Sequence, residues 1–190
     1  MGVNIVVNGV VYNGVESISM LNTEGQPVVF YPKIESGYTN LLPFATDTDR
    51  KTIYGGDYNG DGVNDGYIKG KRLSSSGSTA DLANACASGF IPAKPGDVLR
   101  IKGIAPIQGT AAQYLITYNS SNTKVAHQEL QDKDGNSDWS SSSTKTWWSY
   151  EDGVITITLD SNFGTGFDAV RFSCGTIAAD AVVTINEEIK

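Results

Sequence analysis

The residues with the clearest capacity for chemistry form an acidic loop, "DYNGDGVND", at positions 57–65. Its opening matches the D-x-[DN]-x-[DN]-G pattern of calcium loops, in which alternating side chains supply oxygens and a glycine allows a sharp turn. The expected ligands are the side chains of Asp57, Asn59, Asp61 and Asp65 and the backbone carbonyl of Val63. The sequence predicts a structural calcium site here, and a simple chain of Asn-Gly and Asp-Gly turns is the alternative.

The twelfth position of this loop excludes an EF-hand. An EF-hand loop carries a bidentate glutamate there, whereas this chain has Ile68. The flanking residues also favour strands over helices. We therefore expect any bound calcium to take its last ligand from elsewhere in the fold and to fix the point at which the chain enters the main domain.

An aromatic cluster between residues 139 and 150 contains all three tryptophans of the chain. Aromatic faces stack on sugar rings, and neighbouring Ser and Asp side chains bond the hydroxyls. The candidate glycan contacts are Trp139, Trp147, Trp148 and Tyr150. Because Trp147 and Trp148 are adjacent on a predicted strand, we expect one in the core and the other exposed or at an interface. Ordinary core and subunit packing is the alternative, and Trp139, in a polar loop, is the better candidate for a ligand contact.

Catalytic chemistry has less support. The single histidine, His127, lies in the strand-like stretch "KVAHQEL" and belongs to no recognisable Ser-His-Asp or Cys-His arrangement. A glycosidase needs a carboxylate pair. Asp132, Asp134 and Asp138 could supply one, but they lie in a Gly/Ser-rich loop typical of solvated turns. We therefore predict no catalytic residue and no enzymatic activity.

Charge, hydropathy and cysteine spacing exclude several classes of protein. The net charge of −7 argues against a non-specific nucleic-acid binder. No apolar stretch approaches the ~20 residues that span a bilayer, and the N-terminus lacks the basic region of a signal peptide. We expect synthesis in the cytoplasm and no membrane insertion. Cys86 and Cys174 lack metal-binding spacing and are either two buried thiols or one disulfide.

Short strands joined by turns must position these groups. Nine strand-like stretches recur from about residue 66 onward, separated by clusters such as "SSSGS", "KPGD" and "YEDG". "VITITL" alternates with the period of a half-buried strand, and only "TADLANACA", residues 79–87, looks helical. Without helices for parallel crossovers the sheets should be antiparallel. The pattern predicts an all-β protein with an antiparallel, jelly-roll-like β-sandwich.

Two segments precede the sandwich. "NIVVNGVVYNGV" places Asn-Gly between apolar runs, and "SISML" and "PVVFY" flank "NTEGQ", so residues 1–31 should form β-hairpins. Pro32, Gly37 and Pro43 interrupt the segment that follows. We predict a β module for attachment or oligomerisation at 1–31, a linker carrying the acidic loop at 32–65, and the sandwich at 66–190.

Three stretches of the sandwich also resemble a known group of proteins. "SGFIPAKPGDVLRIKGI", "YLITYNSSNTKV" and "AVRFSCGTIAADAVVTINEEI" are similar to a β-sandwich module of tail, fibre and other virion proteins of phages that infect gut Gram-positive bacteria. "VNGVVYNGVESISMLNTEGQPVVFYP" resembles the short β leader of such proteins. The likeness covers residues 3–31 and about 66–189. It departs from the group at Asn119, where aspartate is frequent, and at the acidic loop, where a short turn is frequent.

The resemblance implies a non-enzymatic virion component of tail-fibre or capsid-decoration type. Its partners would be other copies of itself, with a trimer as the first expectation, other virion proteins through residues 1–31, and a host-surface glycan. A lectin-like carbohydrate-binding module of a secreted or cell-surface system is the alternative from another class, and a glycan hydrolase is a third.

Overall fold

A computed structural model of the chain describes residues 38–107, 113–130 and 147–189 in full, and the backbone of four short strands before residue 31. The chain divides into two compact units, Met1–Thr39 and Asn40–Ile189. The first unit contains two antiparallel hairpins at the predicted places. They are formed by β1 (Val3–Val7) with β2 (Val10–Val15) and by β3 (Ile18–Leu21) with β4 (Pro27–Phe30).

In the residues that the structure describes, the second unit contains ten strands and two 3-10 helices. The strands are β5 (Tyr67–Leu73), β6 (Thr79–Ser88), β7 (Ile91–Pro92), β8 (Val98–Ala105), β9 (Tyr114–Tyr118), β10 (Lys124–Glu129), β11 (Trp148–Glu151), β12 (Val154–Thr158), β13 (Ala169–Cys174) and β14 (Thr176–Ile185). The 3-10 helices are η1 (Leu42–Phe44) and η2 (Ser161–Phe163). Within the described ranges, no helix is long and apolar enough to cross a bilayer.

Two antiparallel sheets pack face to face as a β-sandwich, as predicted. Sheet A has the order β10-β9-β13-β6-β5, with β7 also paired to β13, and sheet B has the order β11-β12-β8-β14. Strands distant in sequence are neighbours in both sheets, with β13 between β6 and β9 in sheet A and β8 between β12 and β14 in sheet B. The alternation in "VITITL" sends Ile155 and Ile157 into the core opposite Ile101 and Leu99 of β8.

The expectation of a helix at residues 79–87 is wrong, because this stretch forms most of β6. Alanine favours helices in isolation, but β6 pairs with β5 along most of its length and with β13 at its C-terminal end. Ala85, Cys86 and Ala87 are buried there. The backbone pairing and burial supplied by its neighbours therefore outweigh the local helical preference.

The centre of sheet A is covered on both faces. Leu115 of β9 points into the core between the sheets, whereas Ile116 and Tyr118 belong to a second cluster on the outer face. The turn between β5 and β6 folds over this cluster, since Tyr118 Oη donates a hydrogen bond to the Gly77 carbonyl at 2.7 Å. The central strands β9 and β13 are thus buried on both faces and carry apolar residues at consecutive positions, whereas β10 is half-buried along its length.

Residues 40–65, which fall in the segment expected to be a linker, lie within the second compact unit. The Asn40 side chain bonds along β14, donating to the Ala181 carbonyl at 2.8 Å and accepting from the Val183 amide at 2.9 Å. Leu42 and Ala45 are buried in the main core. The chain is therefore already part of the sandwich some 25 residues before the acidic loop ends.

Acidic loop, aromatic residues and cysteines as candidate functional sites

The acidic loop is organised by hydrogen bonds from its own backbone to Asp57. The Asp57 carboxylate accepts from the amide of Gly60 at 2.7 Å and from the amide of Gly62 at 2.8 Å. Both glycines have φ near +80°, the left-handed region in which a side chain is disfavoured. The two amides lower the pKa of Asp57, because they stabilise its charged form. The contribution of these bonds is present at neutral pH and is lost on acidification through that lowered pKa.

Asn59 and Asp61, two other predicted ligands, each form a short turn of their own. Asn59 Oδ1 accepts from the Asp61 amide at 2.9 Å, and Asp61 Oδ1 accepts from the Val63 amide at 2.8 Å. Asp65 closes the loop by accepting from the Tyr58 amide at 2.7 Å. The turns that we considered as the alternative to calcium are therefore present. Each side-chain oxygen that accepts one of these hydrogen bonds keeps a second lone pair.

The side-chain oxygens do not by themselves form a cage of carboxylates. Among the described residues, no three His, Cys, Asp or Glu side chains converge as a metal-binding group. A hard cation at the loop would therefore need neutral oxygens as well, from Asn59 and the Val63 carbonyl, as calcium accepts. The loop faces β14 across a cavity of about 100 Å³, whose lining includes Asn59, Asp61 and Asp65.

Both ends of the loop are held against neighbouring backbone. A Cβ placed on Gly66 would lie 1.5 Å from the Leu42 carbonyl oxygen, and one placed on Gly55 would lie 1.9 Å from the Tyr67 carbonyl oxygen. Gly66 also accepts a hydrogen bond from the Gly89 amide at 3.0 Å. These close approaches require glycine and fix the loop to η1 on one side and to sheet A on the other.

The aromatic prediction is corrected at Trp147 and Trp148, which are both buried, with 6% and 3% of their surface exposed. Strand alternation does not separate them, because β11 begins at Trp148 and Trp147 lies in the preceding turn. Trp147 packs edge-on against Phe163, with ring centroids 5.2 Å apart. Tyr150 is half-buried against the same core. Trp139 lies outside the described residues, so it stays a prediction.

Of the residues considered for catalysis, the structure describes His127 and not the three aspartates. His127 lies on β10 with its ring edge-on to Tyr114, at 5.3 Å between centroids, and its Nδ1 3.5 Å from Lys124 Nζ. Asp132, Asp134 and Asp138 lie outside the described residues.

A buried arginine was missed by the sequence reasoning. Arg171 of β13 is 2% exposed, donates from Nε to the Ser88 carbonyl at 2.8 Å, and lies 4.9 Å from the Phe90 ring centroid. The Arg50 guanidinium lies at the same distance from that ring and pairs with Asp168. The sequence signal for a buried arginine was the single charged residue in the otherwise apolar stretch "AVRFSC". These cation–π contacts fasten the segment around residue 50 to sheet A.

The structure resolves the alternatives for the cysteines. Cys86 and Cys174 are both free thiols and both buried. They lie directly opposite each other on β6 and β13, as antiparallel register partners. Beside them, a cleft of about 380 Å³ is lined by Lys69, Cys86, Pro106, Gly175 and Ile177, among others.

Comparison with known proteins adds no assignment. Neither the family models, nor the curated proteins, nor the solved structures include a match to this chain. The class that the fold defines, an antiparallel β-sandwich, therefore rests on the strand pairing and core described above.

Proposed function

We propose that this chain is a non-enzymatic structural protein of a phage particle, of tail-fibre or capsid-decoration type. The single observation that carries the proposal is the division into a β-sandwich, Asn40–Ile189, and a separate unit of β-hairpins. In the proposal the sandwich projects from the virion, and residues 1–31 bind other virion proteins or sister subunits. Adhesion modules commonly use a rigid scaffold whose loops carry the contacts.

The stretches that resemble phage proteins are structural parts of the sandwich. "IPAKPGDVLRIKG" spans β7, the following turn and most of β8, and "AVVTINEEI" spans the second half of β14. Their apolar residues Leu99, Ile101 and Val183 are completely buried. The motif residues therefore serve core formation, which supports a shared scaffold for the resemblance rather than a shared catalytic site.

Homo-oligomerisation follows from the proposed task. Sugar contacts are individually weak, and several copies on one particle raise the effective affinity by 10²–10⁴-fold in the ~mM effective-concentration regime. We propose a homotrimer.

The test is to size the full-length chain by sedimentation and to label phage particles with antibodies raised against it. The expected results are a trimer in solution and labelled virions. A monomer at high concentration would contradict the trimer, and intact virions that do not bind the antibodies would overturn the virion assignment.

Glycan adhesion rests on Trp139, because Trp147 and Trp148 are core residues. We expect the full-length chain to bind host-surface glycans on an array, and Trp139→Ala to abolish that binding without changing the melting temperature. Ile53→Ala is the control, because Ile53 is an exposed large hydrophobic residue outside both the acidic loop and the aromatic cluster. Equal loss in both variants, or no binding by the wild type, would leave the sandwich with a purely structural role.

We further propose that the acidic loop binds a structural calcium ion through Asp57, Asn59, Asp61, Val63 and Asp65. The support is the spacing of these oxygens, the left-handed glycine at the sixth position and the loop's closure against β14. Calcium bound only by the folded protein raises its stability by RT ln(1 + [Ca²⁺]/Kd), about 2.7 kcal/mol at a hundredfold excess over Kd. We expect millimolar calcium to raise the melting temperature and a chelator to reverse the change.

Asp61→Asn is the sharpest variant for this test. Its amide oxygen keeps the hydrogen bond from the Val63 amide and removes only the charge, so the calcium-dependent shift should shrink while the calcium-free melting temperature is kept. Asp152→Asn, in the exposed turn before β12, is the matched control and should leave the shift unchanged. An equal response in both variants, or no response in the wild type, would leave the loop as turns alone.

A further inference from the structure

The register of sheet A brings the two cysteines of the chain together. Cys86 of β6 is the direct partner of Cys174 of β13, although 88 positions separate them in sequence. Residues directly opposite in an antiparallel pair have Cα atoms about 4.5–5.5 Å apart, which is inside the range that a disulfide spans. Both side chains belong to the same hydrophobic core, so they project from the same face of the sheet.

The two thiols differ in their access to solvent. Cys174 is completely buried, whereas Cys86 lines the cleft of about 380 Å³ and keeps 5% of its surface exposed. The cleft walls are mainly small and apolar, including Ala83, Ala85 and Ile177. A small uncharged reagent therefore reaches Cys86 first, and Cys174 only through it.

We propose that Cys86 is a modification site for small organic disulfides and that Cys174 resolves the adduct into an intramolecular disulfide. In the first step the Cys86 thiolate attacks one sulfur of the small disulfide, forming a mixed disulfide and expelling one small thiolate. In the second step the Cys174 thiolate attacks the Cys86 sulfur and expels the second small thiolate. The two protein thiols are oxidised, the small disulfide is reduced, and the two protons pass to the departing thiolates.

The protein environment sets the pH dependence of this reaction. Burial raises the pKa of Cys86, and Lys69 partly opposes that effect. Burial raises the pKa of Cys174 well above its usual range, and neighbouring Cys86 raises it further. Burial also raises the pKa of Tyr67, on the neighbouring strand β5, to about 12. Because the thiolate is the nucleophile, we expect the reaction to be slow at pH 7 and to accelerate as the pH rises through 9.

The product would link β6 to β13 where their pairing ends. It closes a long loop, and a cross-link of that kind reduces the entropy of the unfolded chain. We expect the oxidised protein to melt several degrees above the reduced protein.

The test treats the reduced, folded, full-length chain with bis(2-hydroxyethyl) disulfide and follows it by intact mass and non-reducing peptide mapping. The wild type should lose two hydrogens and yield a Cys86–Cys174 peptide pair. Cys174→Ala should stop at a single hydroxyethylthio adduct on Cys86. Cys86→Ala should not react while folded, because Cys174 is enclosed.

Three outcomes would overturn the proposal. The wild type could react only after unfolding in urea, keep the mixed disulfide without resolving it, or react first at Cys174. Because alanine at either position removes only a small buried group, circular dichroism before treatment confirms that each variant is folded. Cys86→Ser and Cys174→Ser provide a second pair of variants if either alanine protein fails that check.

Discussion

Replacing Gly66 with alanine should lower the free energy of unfolding by about 3–5 kcal/mol, which combines left-handed backbone strain with overpacking against fixed backbone. Gly66 has a φ of +73°, and an added Cβ would lie 1.5 Å from the carbonyl oxygen and 2.5 Å from the carbonyl carbon of Leu42. Because these neighbours are backbone atoms, no side-chain rotation relieves the overlap. The loop end or η1 must move, and the hydrogen bond from Gly89 to Gly66 is put at risk.

Gly60→Ala provides the matched control for this effect. Gly60 has a similar φ of +80°, but nothing lies within 4 Å of its Cβ position. Gly60→Ala should therefore lower the free energy of unfolding only by the conformational cost, about 1–2 kcal/mol. Urea denaturation of the three proteins measures both values, and their difference isolates the cost of the clash. Equal losses in the two variants would show that the contact between the loop and η1 is not rigid.

Trp147→Ala should destabilise the sandwich by about 3–5 kcal/mol, the usual cost of removing a large buried aromatic side chain. Trp147 is buried and packs edge-on against Phe163, the fully buried last residue of η2. The truncation leaves a cavity that the two sheets cannot close without moving. Thermal and urea denaturation measure the loss.

Trp148→Phe separates ring packing from polar effects at the adjacent position. Trp148 Nε1 is buried and has no hydrogen-bond partner among the described residues. Phenylalanine keeps much of the ring and removes that unsatisfied donor, whose burial costs about 1–3 kcal/mol. The smaller ring leaves a cavity that lowers stability, and removal of the donor offsets part of that loss, so we expect a smaller loss than for Trp147→Ala. If Trp147→Ala left stability unchanged, its core role would be refuted and a ligand role would again be open.

The strands that could be predicted from the sequence carry their signal locally. All nine strand-like stretches after residue 66 are strands, because alternation as in "VITITL" and turn clusters such as "KPGD" act over a few residues. The two hairpins before residue 31 follow from the same short-range turn chemistry. The antiparallel sandwich is the direct consequence of many short strands without crossover helices.

The features that could not be predicted depend on contacts between distant residues. The stretch at 79–87 is a strand because β5 and β13 pair with it, and its own alanines indicate the opposite. Trp147 and Trp148 are both buried because Trp147 lies in the turn before β11, and the boundary of a strand is not visible in the sequence at single-residue precision. Cys86 faces Cys174 only through a register that spans half the chain.

The bonds of Asn40 to Ala181 and Val183 have a consequence for how the sandwich can be transplanted. The first residue of this unit lies against the middle of its last strand, so the polypeptide enters the fold beside the strand through which it leaves. A module with that geometry can be spliced into a surface loop of another protein with short flexible joints, without stretching its host. The strand order is unchanged by such a transfer, because every pairing that forms the two sheets is internal to residues 40–189.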